Sequence, residues 1–385
     1  FFITDKILFD LGYTEWVVKP LQEAGVNCAY FFDVAPDPDL ACCERCLAKV
    51  NEFKPDLFIA LGGGSAMDLM KMVRLQYEHG QTDFGGLAQR FMDIRKRIYE
   101  FPELLDMKEC KTYSVCIPTT SGTGSEVTPF AVITDDKLKV KYPLADYMLT
   151  PQMAIVDSSL AMTMPAFLGA WTGVDALTHA VEAYVSILAT EYTQPISLQA
   201  IKLVFDYLEE SVNQKTKKAR EAMHHAATLA GMAFSNAFLG ICHSLAHKLG
   251  QKFHIPHGLA NAICLVPVIR YNATDVPTRM GTFPQYKYPC AKARYAEIAD
   301  YCGLTTPEMT ADQRVEALCQ KILSMYKNIN VSPCVKDFRN APQKEEYFAA
   351  LDYLAEQAFD DQCTGANPRY PLMAELKVIL EQIWE

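Results

Sequence analysis

The chain has 385 residues, half of them apolar and 21% charged, with 19 Gly and 21 Pro. That composition belongs to a globular protein and excludes a disordered, collagen-like or low-complexity chain. The formal charge is −10, and no Lys/Arg block exceeds Arg95-Lys96-Arg97, which excludes a nucleic-acid footprint and an anionic-membrane surface. The length suits two domains. Thirteen scattered cysteines argue against a disulfide framework and for a reducing, cytoplasmic setting. Cys42 and Cys46 are i, i+4 neighbours on an expected helix, and no second Cys or His pair follows at zinc-site spacing.

Phe1–Thr4 reads as a strand already under way, without an initiating Met, as expected of a longer protein whose start is missing. Further strands are expected at Cys28–Phe32, Leu57–Leu61, Tyr113–Ile117, Ala131–Thr134 and Ala154–Val156. Helical periods lie between them at Trp16–Ala24, Leu40–Phe53 and Ser65–Tyr77. This alternation predicts an α/β domain over residues 1–165, with a largely parallel, Rossmann-like sheet covered on both faces. After Thr163-Met164-Pro165, alanine and leucine dominate and strands disappear, so residues 166–385 are expected to form an all-helical domain. A ligand site is expected in the cleft between the two. The uncharged stretch Ala226–Ala246 is long enough to span a bilayer. It contains Ser235, Asn236, His243 and Ser244 and reads as a buried helix of a helical core.

Two loops suit phosphate. Leu61-Gly62-Gly63-Gly64-Ser65 follows an apolar strand and opens a helix. Its glycines allow close backbone approach, and the helix N-terminus offers free N–H donors. A plainer reading makes Ser65 and Asp68 a capping box. Pro118-Thr119-Thr120-Ser121-Gly122-Thr123-Gly124-Ser125 also follows a strand and is dense in hydroxyls. Together the two loops point to a dinucleotide. Asp5, at the end of the first strand, and Asp37, before Pro38, could accept ribose hydroxyls of NAD. Asp37 fits equally an N-cap with Pro38 at the first helical position.

The sharpest signal is histidine. His243, His247, His254 and His257 lie within fifteen residues, and His179 follows Asp175 by four. At i, i+4 on a helix, Asp175 and His179 share a face and can grip one ion, and His243 and His247 have the same spacing. Nitrogen and carboxylate ligands without thiolate suit Fe(II), Zn or Mn. A catalytic ion needs an open position, so at least one of these histidines should handle protons or orient a ligand. Ser244-Leu245-Ala246 supplies no glutamate for an H-E-x-x-H protease, and no G-x-S-x-G elbow appears.

These motifs together resemble the iron-containing (group III) alcohol dehydrogenases, and most closely the alcohol dehydrogenase half of the bifunctional aldehyde–alcohol dehydrogenases. The resemblance covers Ala60–Asp68, Arg90–Phe101, Thr119–Asp136, Lys141–Asp157, Gly173–Val185, Ala237–Asn272 and Asp360–Leu376, the last pointing to the bifunctional subgroup. It implies that Asp175, His179, His243 and His257 hold a divalent metal, Fe(II) with Zn(II) as the alternative, and that His247 relays protons beside the nicotinamide. Gly63, Gly64, Ser65 and Asp68 match the pyrophosphate loop, Thr119 and Thr120 the second coenzyme loop, and Lys141 a coenzyme-contacting lysine. Asp5 matches the acid that reads the adenosine ribose, and Asp37 lies on the adenine side. His254 matches no ligand position. The implied reaction interconverts acetaldehyde and ethanol with NADH/NAD in fermentation. The implied partners are a missing N-terminal aldehyde dehydrogenase half and further copies, in a dimer or filament. A dehydroquinate-synthase-like lyase and a filament-assembly module are the competing expectations.

Overall fold

The computed structural model describes residues 1–80, 110–135, 140–275 and 290–385, with the backbone alone at residues 135 and 140–143. Arg95-Lys96-Arg97 and the stretch Arg90–Phe101 lie outside the described residues. What is described falls into two compact units, one ending at Met164 and the other beginning at Pro165.

The first unit contains strands β1 (Phe2–Ile3), β2 (Tyr30–Phe31), β3 (Leu57–Gly62), β4 (Tyr113–Pro118), β5 (Phe130–Asp135), β6 (Val140–Ala145) and β7 (Met153–Ala154). Its helices are α1 (Lys6–Asp10), α2 (Tyr13–Glu23), α3 (Leu40–Phe53) and α4 (Gly64–His79). Five strands form one parallel sheet in the order β2-β1-β3-β4-β7. Side chains on a strand alternate between faces. Phe58 and Ala60 therefore join the core under α3 and α4, and Ile59 and Leu61 the core under α2. Burial on both faces explains why β3 reads as a continuous apolar run.

Four expectations are corrected. Ala131–Thr134 does not join the parallel sheet; it lies in β5, which pairs with β6 as a separate antiparallel hairpin. Val-Lys-Tyr-Pro-Leu-Ala in β6 escapes a strand search because Pro143 breaks the pattern, which a two-stranded ribbon tolerates. Asp37 is no N-cap: Asp39 caps α3, accepting the Cys42 N–H at 2.6 Å, while Asp37 stands in the left-handed region at φ 53°. Ser65 and Asp68 form no capping box, because α4 starts from Gly63 without a side-chain cap. The fourth concerns Ala226–Ala246, which is two helices bent by 107° rather than one.

The second unit consists of helices α5 (Ala166–Val185), α6 (Gln194–Asn213), α7 (Lys217–Ala237), α8 (Ile241–Phe253), α9 (His257–Asn272), α10 (Ala291–Tyr301), α11 (Ala311–Asn328), α12 (Lys344–Ala349), α13 (Leu351–Phe359) and α14 (Met373–Gln382). Helix α7 ends where Phe238 adopts φ 59°, and α8 restarts from Gly240. No single described helix is long and apolar enough to cross a membrane; the bent α7–α8 pair passes only by length and composition. Helix α5 is buried on nearly every side, from Gly173 to Val185 without interruption. Small residues on α5, α7 and α9 let the helices pack closely, so polar side chains on these faces meet one another rather than water. Among the described residues no cysteine forms a disulfide, and Cys42, Cys43 and Cys46 pack in the core of the first unit.

Candidate metal centre and coenzyme loops

In the second unit, Asp175 and His179 project from one face of α5, His243 from the first turn of α8, and His257 from the start of α9. One ligand atom from each lies within 4.8 Å of all the others. Asp175 Oδ1 is 3.4 Å from His257 Nε2 and 3.9 Å from His243 Nε2. The His179 and His243 rings stack at 4.6 Å. Asp175, His179 and His243 are buried, whereas 43% of the His257 side chain is exposed, so the cluster opens on that side.

The electrostatics suit a cation. Burial takes the His243 imidazole down to about 3 against the raising effect of Asp175, leaving it neutral. Burial pushes the Asp175 carboxyl up, but His179, His257, His243 and the Asn261 amide outweigh it and hold it below its ordinary range. One carboxylate and three imidazoles converging on a small volume fit Fe(II), Zn(II) or Mn(II), and no thiolate is among them.

Two further residues orient the ligands. Glu182, on α5 three residues after His179, places Oε2 2.5 Å from His243 Nδ1, while Oε1 accepts the Cys242 N–H at 2.8 Å. That leaves His243 Nε2 facing the cluster, the usual arrangement for a metal-binding imidazole. Burial raises Glu182 to about 7 against the lowering effect of the Cys242 and Gly240 N–H groups. Asn261, one turn after His257, donates through Nδ2 to Asp175 Oδ1 at 2.7 Å. Sequence reasoning missed both roles. Glu182 carried a signal, since it falls on the Asp175/His179 face of α5. His247, on α8, stands beside the cluster, its ring stacked on His257 at 5.5 Å and its Nδ1 3.1 Å from Asp361 Oδ2. His254 ends α8 at φ 55° and does not join the cluster.

In the first unit, the two expected loops lie side by side at the carboxyl ends of β3 and β4. A Cβ on Gly63 would come within 3.3 Å of Thr120 Oγ1, and one on Gly64 within 3.0 Å of Thr123 Cγ2. Thr119 N–H donates to the Gly62 carbonyl at 3.0 Å. Ser65 Oγ accepts the Asp37 N–H at 3.3 Å, which brings Asp37 to the start of α4. Asp5 caps α1 through Oδ1, accepting the Leu8 N–H at 2.9 Å. Asp68 turns inward instead: its oxygens accept from Ser125 Oγ at 2.7 Å and the Val132 N–H at 3.0 Å. Lys141 pairs with Thr134 across the β5–β6 hairpin, and its side chain lies outside the described residues.

Comparison with known proteins agrees with this geometry. The iron-containing alcohol dehydrogenase family model matches residues 1–158, and the C-terminal model of the Fe-containing alcohol dehydrogenase family matches residues 169–384. The bifunctional aldehyde-alcohol dehydrogenase AdhE of Escherichia coli K12 is 52% identical over 98% of this chain, which spans 42% of that protein's length. The NADPH-dependent butanol dehydrogenase of Clostridium saccharobutylicum is 40% identical over 97% of this chain and 88% of its own. The iron-containing alcohol dehydrogenase of Thermococcus thioreducens superposes with a TM-score of 0.85 at 30% identity, covering 100% of this chain and 92% of its own. An α/β unit with a parallel sheet, a helical unit carrying an Asp/His₃ cluster and matches along nearly the whole length lead to one assignment: the chain belongs to the iron-containing alcohol dehydrogenase family.

Proposed function

We propose that the protein interconverts a short-chain aldehyde, acetaldehyde before others, and its primary alcohol with NADH/NAD. The observation that carries this reading is the convergence of Asp175, His179, His243 and His257 within 4.8 Å. When bound there, a divalent metal supplies Lewis-acid polarisation to the substrate oxygen, and bound NADH supplies hydride. The chain's own residues do the rest. Asp175, His179, His243 and His257 hold the ion, with Glu182 and Asn261 fixing two of them. Gly63, Gly64 and Ser65, at the start of α4, hold the pyrophosphate with backbone N–H groups. Thr119 and Thr120 add contacts from the neighbouring loop. Asp5, through its second oxygen, and Asp37 read the ribose and adenine side, where carboxylates disfavour the extra phosphate of NADP. Asp68 acts indirectly, by tying the two loops together. His247 moves the proton between the substrate oxygen and solvent.

The 52% identity to AdhE supports a wider reading: this chain is the alcohol dehydrogenase half of a cytoplasmic bifunctional enzyme. Its partners are then an aldehyde dehydrogenase half and further copies of itself. The dehydrogenase names of the relatives weigh against a lyase.

Metal is stripped and Fe(II) or Zn(II) added back anaerobically while NADH oxidation by acetaldehyde is followed. Restoration by Fe(II) supports the reading, and silence with both ions opposes it. His243→Ala should lose the metal, whereas His247→Ala should keep it and turn over more slowly. Equal metal loss in both variants sinks the assignment of His247.

A further inference from the structure

The segment Asp361–Asn367, after α13, runs along one stripe of α8 and bonds to it at each turn. Asn367 Oδ1 accepts the Ile241 N–H at 3.2 Å, and Thr364 Oγ1 is 2.8 Å from Ser244 Oγ. One turn on, Asp361 Oδ2 meets His247 Nδ1 at 3.1 Å and Lys248 Nζ at 2.9 Å. Residues 241, 244 and 247–248 share a helix face, so the segment clasps α8 in antiparallel order. The other Asp361 oxygen accepts the Cys363 N–H at 3.0 Å, so both oxygens are committed.

Asp361 is buried. Burial alone would push its carboxyl up, but His247 and Lys248 hold it well below the ordinary carboxylate range. An ionised carboxylate only accepts, so the His247 hydrogen on that side sits on Nδ1. In the neutral ring Nε2 then carries the lone pair. The stack of His247 on His257, with 15° between the planes, fixes the ring's tilt.

We propose that Asp361 is a positioning residue for the reaction, fixing the tautomer and orientation of His247 so that Nε2 is the atom that takes and returns the proton. This rests on the proton-relay reading of His247. In alcohol oxidation the Nε2 lone pair takes the hydroxyl proton and gives an imidazolium whose Nδ1–H stays on Asp361. In reduction the imidazolium gives a proton to the substrate oxygen, the hydride coming from NADH as in the proposed reaction, and solvent returns a proton to the ring.

The test combines spectroscopy with a double-mutant cycle. Nitrogen-15 histidine spectra of the metal-free and Zn(II)-loaded protein, at about pH 8.5, report the tautomer directly. The wild type should carry the His247 proton on Nδ1, and a wild-type proton on Nε2 overturns the proposal. In Asp361→Asn one amide oxygen faces three donors, so the Nδ1–H population should fall. With NADH and acetaldehyde, Asp361→Asn should lower kcat about tenfold or more, with metal content unchanged and KM within about threefold. In a His247→Ala background the same change should cost less than about twofold. An equal loss in both backgrounds overturns the proposal. His247→Ala with full kcat and retained metal refutes the relay reading itself, and the spectra still decide whether Asp361 sets the tautomer. If Asp361→Asn does not fold, Lys248→Met/Asp361→Asn removes the stranded ammonium and the same comparison is made there.

Discussion

Gly240 packs against Glu182 and Asn367 beside the candidate metal centre, and Gly240→Ala separates steric from conformational effects. Its backbone is extended, at φ −141°, so alanine meets no backbone penalty there. Taken alone, the substitution should stabilise by about 0.4–1 kcal/mol through the unfolded chain. The surroundings reverse the sign. The added Cβ would lie 2.6 Å from Asn367 Oδ1 and 2.8 Å from Glu182 Oε1, closer than an ordinary carbon–oxygen contact of about 3.3 Å. These oxygens accept the Ile241 and Cys242 N–H groups, the first free donors of α8. Moving both strands two buried donors at about 1–3 kcal/mol each, so after the gain of about 0.4–1 kcal/mol the net destabilisation should be about 1–5 kcal/mol. Glu182 also holds His243 Nδ1, so the shift should weaken Zn(II) or Fe(II) binding about 10–100-fold. Chelator competition measures the affinity, and thermal unfolding with and without metal measures the stability. Affinity within about twofold of wild type together with an unchanged or raised melting temperature would refute the reasoning.

Two further expectations concern the same helices. Glu182 is raised to about 7 and His243 lowered to about 3, so as pH falls the folded pair takes its proton on Glu182 while the unfolded chain protonates the histidine near its ordinary 6.5. A carboxyl raised in the fold adds stability as pH falls, and an imidazole lowered in the fold removes it, so the two nearly cancel between pH 7 and 5. Glu182→Gln abolishes only the first, and the metal-free variant should lose about 1.4 kcal/mol more per pH unit below 6.5 than wild type; parallel denaturation profiles from pH 7 to 5 count against this. The second expectation compares Gly258→Ala with Gly173→Ala. Their added Cβ atoms come equally close to a neighbour, 2.3 Å from the Trp171 carbonyl oxygen and 2.2 Å from Leu208 Cδ1. A backbone carbonyl cannot turn aside as a leucine methyl can. Gly258→Ala should therefore push α9 off α5, carry His257 from Asp175, cost more than about 3 kcal/mol and release metal, while Gly173→Ala costs about 1–2 kcal/mol and keeps it. Urea unfolding and metal content in the reverse order would overturn the argument.

Residue type and helical spacing made the Asp175/His179 half of the candidate metal cluster legible, whereas the choice of His243 and His257 from the histidine group came from the family resemblance. Asp175 and His179 declare a shared face by themselves. What supports them was not legible, for a physical reason. Glu182 meets His243 across 61 residues, Asn261 meets Asp175 across 86, and Asp361 meets His247 across 114. Periodicity assigns a side chain to a face but says nothing of what packs against it. The same gap explains the other departures. Asp68 reads as a loop residue, yet Ser125 and Val132 draw it inward. Ala226–Ala246 reads as one helix because every residue in it is compatible with helix. It breaks because Glu182 and Asn367, both distant in sequence, supply the caps that let α8 begin again at Gly240. One of the polar groups that interrupt the apolar run, Glu182, thus also aims its histidine, His243. A variant that restores one continuous helix there should lose the metal centre before it loses its helical content.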